Sequence, residues 1–312
     1  MISCTEFIPS YSELFTYLEE HHGKQAVRDY WDHCFVPDGS NSPLADLVLK
    51  EGIRGCFSYW THTLNEEAAD FTMYLNEKAG WFMNVMHHCP SKGRLLALEK
   101  TIGIKPYCDY CLHCDGYRHA VKLLGLDYVF NTRGIDHASC SIFISDPKRF
   151  DGRILIDENT EIMDRRATDN EYLHRDFHAS LDRGISYLAD TFGTDEMLDY
   201  LRTFTRHVYG TQFEALKNGG FAALKAFLEK PYLAEHAEDA ISVTFGDDTL
   251  TARITCCPAV RHIRSLGKDV SRYYVETTRT VLGTLADETG YRFTLDRYDE
   301  QTGAAEYRFA RR

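Results

Sequence analysis

The sequence predicts an α+β fold in which one module is used twice. The first observation is a self-match at an offset near 168. Tyr17, Leu18, Gly23, Asp29 and Tyr30 correspond to Tyr187, Leu188, Gly193, Asp199 and Tyr200; Leu49, Lys50 and Gly52 to Leu216, Lys217 and Gly219; Cys89-Pro90 to Cys257-Pro258; and Gly116 to Gly283. Single matches arise by chance, but a nearly constant offset marks a repeat. The second observation is that both halves pass from helical to strand patterning in the same order. Each module is expected to hold about three helices followed by a ββαββ unit, a four-stranded antiparallel sheet with helices on one face. The modules are placed at residues 1–147 and 171–312. The charged stretch 148–170 is read as their connection.

Each element has its own signal. Ser10 to His22 places Tyr11, Leu14, Phe15 and Leu18 on one helical face, and Gly23 ends it as a glycine C′ residue does. Gln25 to Phe35 reads as a second helix and Leu44 to Thr61 as a third, with Gly52 and Gly55 interrupting its pattern. Ala69–Leu75 and Trp81–His87 alternate as strands around the turn 76–80, and Cys89-Pro90 closes the second strand. A helix is expected from Tyr107 to Leu124, stopped by Gly125, with strands at Leu126–Asn131 and Ser139–Ile144. In the second half, helices are expected from about Glu171, Asp195 and Gln212 and over Arg272–Ala286. Strands are expected at Ala240–Phe245, Leu250–Cys256, Arg292–Asp296 and Ala305–Phe309.

Bulk composition narrows the function. A net charge of −12 with no Lys/Arg stripe argues against a nucleic-acid partner. No run of eighteen apolar residues exists, so no membrane span is expected. Met1 to Ser10 carries Glu6 and lacks the basic and apolar regions of a secretory leader, which points to the cytoplasm. Ten cysteines in such a setting are expected to be reduced. Cys4, Cys34 and Cys56 are scattered and read as core fillers.

The chemistry concentrates in Tyr107–Gly116, Y-C-D-Y-C-L-H-C-D-G. On a helix, Cys108, Cys111 and Cys114 would lie near one face. Thiolates suit zinc or an iron–sulfur cluster, and Cys89 would be a fourth ligand. The spacing is neither that of a zinc ribbon nor that of a full ferredoxin run, and a cysteine-rich buried face is the plain alternative. Cys111 is the candidate nucleophile, with Asp115 and His113 moving protons. Alone, Asp115 reads equally as a solvated helix residue. Under the repeat, the three cysteines face Val275, Thr278 and Val281, which suggests one specialised site in the first module. The second copy adds Glu276 and Arg279, read as a carboxylate clamp or, equally, as a surface i,i+3 pair. His262 and Arg264 follow the second Cys-Pro and are candidates to face a pocket. His137 and Cys140 sit at a turn and read as hairpin residues or as supports of the site. His87 shares a strand face with Cys89. His174 and His178, at i,i+4, lack the glutamate of an HExxH motif and read as a surface pair. Phosphate loops and nucleophile elbows are absent.

The strand ending in Cys89-Pro90, the segment with Cys111, Cys114 and Asp115, and the stretch G-I-D-H-A-S-C-S-I-F, with Gly134 and Cys140, resemble the L-2-amino-thiazoline-4-carboxylic acid hydrolase family and the related 4-vinyl-reductase-type domain. The resemblance covers about Ala69 to Ile144. It implies opening of a small cyclic amidine by water at a cysteine site, or, from the sister domain, binding of a small ligand or metal without catalysis. The expectation is a C–N hydrolase of a small cyclic or sulfur-containing molecule, with Arg279 or His262 holding a substrate carboxylate. The alternatives are a non-catalytic sensor or carrier and an iron–sulfur redox protein.

Overall fold

The computed structural model describes residues 1–36 and 42–312. They form two compact units. One is continuous, Leu18–Tyr172; the other is discontinuous, Met1–Tyr17 with Leu173–Arg312. The first seventeen residues, expected in the first module, belong to the same unit as the second half.

In the continuous unit, α1 (Phe7–His22) ends and α2 (Lys24–Phe35) begins at Gly23, whose φ of 80° suits glycine. The expected third helix is two helices, α3 (Pro43–Glu51) and α4 (Arg54–Glu66). They part at Gly52, φ 66°, and Gly55 lets α4 approach the backbone of Leu47 so closely that a Cβ there would lie 2.4 Å from it. Strands β1 (Asp70–Asn76) and β2 (Trp81–His88) form the expected hairpin. Helix α5 (Pro90–Ile102) then starts at Pro90 and stops at Gly103, an element the sequence reading passed over. A 3-10 segment (Tyr110–Tyr117) and the short α6 (Arg118–Lys122) replace the long helix expected over 107–124. Strands β3 (Asp127–Asn131) and β4 (Cys140–Ser145) complete the ββαββ unit.

The stretch 148–170 does more than connect. Within it, β5 (Glu161–Arg165) pairs antiparallel with β1, giving a five-stranded sheet in the order β3-β4-β2-β1-β5. Four of its five residues are exposed, which is how a charged edge strand avoids further pairing. Buried Phe71, Met73 and Leu75 alternate along β1 toward a core with Trp60, whose ring stacks on Phe82 at 5.4 Å.

The discontinuous unit contains α7 (Phe177–Thr191) and α8 (Thr194–Tyr209), joined at Gly193 with φ 111°. Helix α9 (Phe213–Ala234) follows, broken at Gly220. Then come β6 (Ile241–Phe245), β7 (Thr249–Ile254), α10 (Pro258–Ser265), α11 (Glu276–Thr289), β8 (Tyr291–Tyr298) and β9 (Ala305–Arg311). The sheet order is β6-β7-β9-β8. Read by position, β1-β2-β4-β3 has the same order, which is what a doubled module requires. No helix among the described residues is long and apolar enough to cross a membrane.

The contact at Gly55 is tight enough to test. Gly55→Ala is expected to destabilise the protein by about 1–3 kcal/mol, because the neighbour is backbone and cannot swing away. A urea midpoint equal to that of the wild type would contradict this packing.

Candidate functional site

The site is built where the Cys-Pro corner meets the last turn of the continuous unit. Cys89 is the N-cap of α5, with Pro90 at the first helical position where its missing N–H is no loss. The Cys89 sulfur accepts from the Lys92 amide at 3.5 Å. The Cys89 amide donates to Ala138 O at 2.6 Å. Ala138 follows a one-turn 3-10 segment (Ile135–His137) and has φ 59°. The turn closes on Gly134, whose carbonyl accepts from the Ser139 amide at 3.0 Å. Cys140 then opens β4. One backbone hydrogen bond thus sets Cys89 beside the lead-in to Cys140.

The 3-10 geometry of 110–117 has a local cause. In an α-helix the carbonyls of Tyr110 and Cys114 would accept from amides four residues on. Here His113 Nδ1 bonds Tyr110 O, and Tyr128 Oη donates to Cys114 O at 2.8 Å. Side chains that take backbone acceptors compete with the α-helix. Gly116 also lies against the Phe35 ring, 2.5 Å from where a Cβ would sit. With three residues per turn, positions i and i+3 eclipse, so Cys111 and Cys114 share one edge. Cys108 precedes this segment and is exposed.

The structure therefore groups Cys89, Cys111, Cys114 and Cys140, with Cys140 in the role expected of Cys108. All four thiols are held protonated. Burial raises Cys114 well above the ordinary thiol range, and the charges of Cys140, Cys89, Cys111 and Glu67 raise it further. Burial likewise raises Cys89, and pushes Cys140 up to about 12 with help from Cys111. Burial also raises Cys111, against the pull of Lys92. Among the described residues, no three of these sulfurs lie within 4.8 Å of one another. Glu67, Lys92 and Tyr128 complete the surroundings; no motif signals them in the sequence.

His113 sits beside Cys114, its Nε2 3.6 Å from the sulfur. Because Nδ1 faces a carbonyl it must carry the proton, so Nε2 of the neutral ring is an acceptor. Burial lowers this imidazole to about 4, against the opposing hydrogen bond to Tyr110. The pair is a neutral thiol facing a neutral base.

The other expected site residues have partners of their own or are exposed. Asp115 is ion-paired with Arg118 on the same turn, the solvated reading of that residue. Exposed His87 bonds Thr72 Oγ1 at 2.7 Å, and His137 is exposed. In the discontinuous unit, Arg279 pairs with Glu276 along α11, whose other oxygen accepts from Thr280 at 2.6 Å, so the surface-pair reading of this arginine fits. His262 Nε2 lies 2.7 Å from Asp176. The surface reading of His174 and His178 is corrected: both are buried, at 5% and 1% exposure.

The corresponding corner of the discontinuous unit has the same frame. Cys257 is the N-cap of α10, and its amide donates to Thr302 O at 2.9 Å. Its surroundings are phenolic: burial raises Tyr232, Tyr274, Tyr298 and Tyr307, and the nearby Cys257 adds to each shift.

The depressed His113 carries a pH signature. In the unfolded chain it takes up its proton near 6.5, in place only at about 4. The unfolded state therefore binds the proton first, and stability is lost as pH falls through that window. His113→Gln is expected to remove part of this loss, read as the difference in urea midpoint between pH 7 and pH 5; an unchanged difference would place His113 in water.

The chain matches no protein-family model, no curated protein and no solved structure.

Proposed function

We propose that the continuous unit is a C–N hydrolase acting on a small cyclic or sulfur-containing molecule at its cysteine site. The observation that carries this reading is the placement of Cys114 against Nε2 of His113, 3.6 Å away, inside a set of four thiols. A neutral pair of this kind suits attack with concurrent proton transfer rather than a preformed thiolate. Sulfur bonds to the amidine carbon while its proton passes to Nε2. That proton then goes to the departing nitrogen as the C–N bond breaks. Water next attacks the carbon, releases the product and returns a proton to sulfur. In this reading Cys111 is a neighbour of the nucleophile, and Asp115 holds Arg118 rather than a proton in transit.

A second reading has its own observation: four sulfurs from three segments gather where burial keeps each one protonated. Cys89, Cys111, Cys114 and Cys140 would hold zinc or an iron–sulfur cluster. Such a centre would supply either a polarised water or an electron, and the hydrolase would become a binding or redox protein.

Two measurements separate these readings. The wild type is expected to open 2-amino-thiazoline-4-carboxylate or a related cyclic amidine. Cys114→Ser should lose at least about 100-fold in kcat/KM, while Arg118→Ala stays near wild type. No turnover by the wild type on this substrate class would remove the hydrolase reading. Iron or zinc retained after anaerobic purification, and lost in Cys111→Ser, would select the metal-centred one.

A further inference from the structure

We propose that the discontinuous unit holds a divalent metal ion, of the zinc class, between Cys4, His178 and Glu235. This site shares no residue with the cysteine site and does not depend on the hydrolase reading.

The three residues come from distant parts of the chain. Cys4 opens a 3-10 turn (Cys4–Glu6), His178 lies in the first turn of α7, and Glu235 caps the C-terminal end of α9. Each is 1% exposed. One ligand atom from each, a sulfur, a ring nitrogen and a carboxylate oxygen, lies within 4.8 Å of the other two. Sulfur, imidazole and carboxylate are the donor set of borderline-soft divalent ions, and three protein ligands leave a fourth position for water.

A bare ion pair does not account for this place. Nε2 of His178 approaches Oε1 of Glu235 to 2.9 Å, yet Oε2 of Glu235 and both ring nitrogens of His178 are without a hydrogen bond in proper geometry. Buried polar atoms left in this state are uncommon and costly. The carboxylate is also oriented in advance. Ser3 Oγ and the Cys4 amide donate to Oε1 at 3.0 and 2.7 Å, and Nε of Arg175 lies 3.9 Å from Oε2. These contacts hold Oε1 in place and leave Oε2 without a hydrogen bond.

The charges agree. Burial would raise the Glu235 carboxyl, but His178 and the Cys4 amide bring it down to about 2, so it is an anion at neutral pH. The Cys4 thiol, raised by burial and by that carboxylate, carries a proton. A divalent ion would displace this proton, and a thiolate and a carboxylate would balance its two charges. The ion would brace residues 3–6 against α7 and the end of α9.

The test is zinc content per chain after loading metal-depleted, reduced protein with zinc and removing the excess. Cys4→Ser and His178→Gln are each expected to lose one equivalent relative to wild type, and a change at the exposed Cys108, Cys108→Ser, to keep it. Equal zinc in wild type, Cys4→Ser and His178→Gln would overturn the proposal. Should either variant fail to fold, zinc-soaked crystals of the wild type decide. An anomalous peak bounded by Cys4, His178 and Glu235 supports the site, and its absence there rejects it.

Discussion

The hydrogen bond from the Cys89 amide to Ala138 O is the contact on which the candidate site depends. It joins two motifs about fifty residues apart, the Cys-Pro helix start and the Gly134 turn, at the end of one sheet. Proline fixes the direction of α5, the cysteine side chain caps it, and its amide is left to reach across. The discontinuous unit solves the same corner with Cys257 and Thr302. There the turn continues into Gly303, φ 66°, where any Cβ would strike the Cβ of Cys257 at 2.4 Å. Ala138 takes a similar left-handed conformation, one that costs a residue with a Cβ about 1 kcal/mol.

The two corners separate structure from chemistry. A Cys-Pro pair stands in both, in both as the N-cap of a helix, so Cys89 has a structural use whatever else it does. Cys111, Cys114 and Cys140 have no such twin. Their repeat positions hold Thr278 and Val281, and Ala305 opens β9 where Cys140 opens β4. Around Cys257 the space is taken by tyrosine rings instead. The corner of the discontinuous unit thus keeps the frame with tyrosines near Cys257, and that of the continuous unit has thiols and an imidazole. This asymmetry points the chemical reading to the continuous unit.

Much of the fold was legible because punctuation residues were explicit. Gly23 and Gly193 each stand at a helix junction with positive φ, and Gly52 breaks the helix whose pattern it disturbs. Alternation of Phe71, Met73 and Leu75 announced β1. Helices α5 and α10 were announced only by Pro90 and Pro258, read as strand ends rather than as helix starts. The edge strand β5 was hidden because Glu161, Asp164 and Arg165 put charges on both of its faces and only Ile162 and Met163 are apolar. The 3-10 turn around Cys111 was hidden for another reason. One of its causes is Tyr128, which takes the Cys114 carbonyl from outside the segment, where local pattern does not reach. Cys4, His178 and Glu235 were beyond reach because their meeting is purely tertiary; only the His174–His178 spacing pointed toward it.

The central claim is that four thiols, Cys89, Cys111, Cys114 and Cys140, occupy one place from which Cys108 is excluded. Cross-linking reduced, metal-free protein with a short bifunctional thiol reagent, followed by peptide mapping, tests this most directly. The account predicts bridges within the set of four and none to Cys108. Bridges from Cys108 to Cys111 or Cys114, with Cys140 unlinked, would contradict it and restore the helical arrangement expected from sequence.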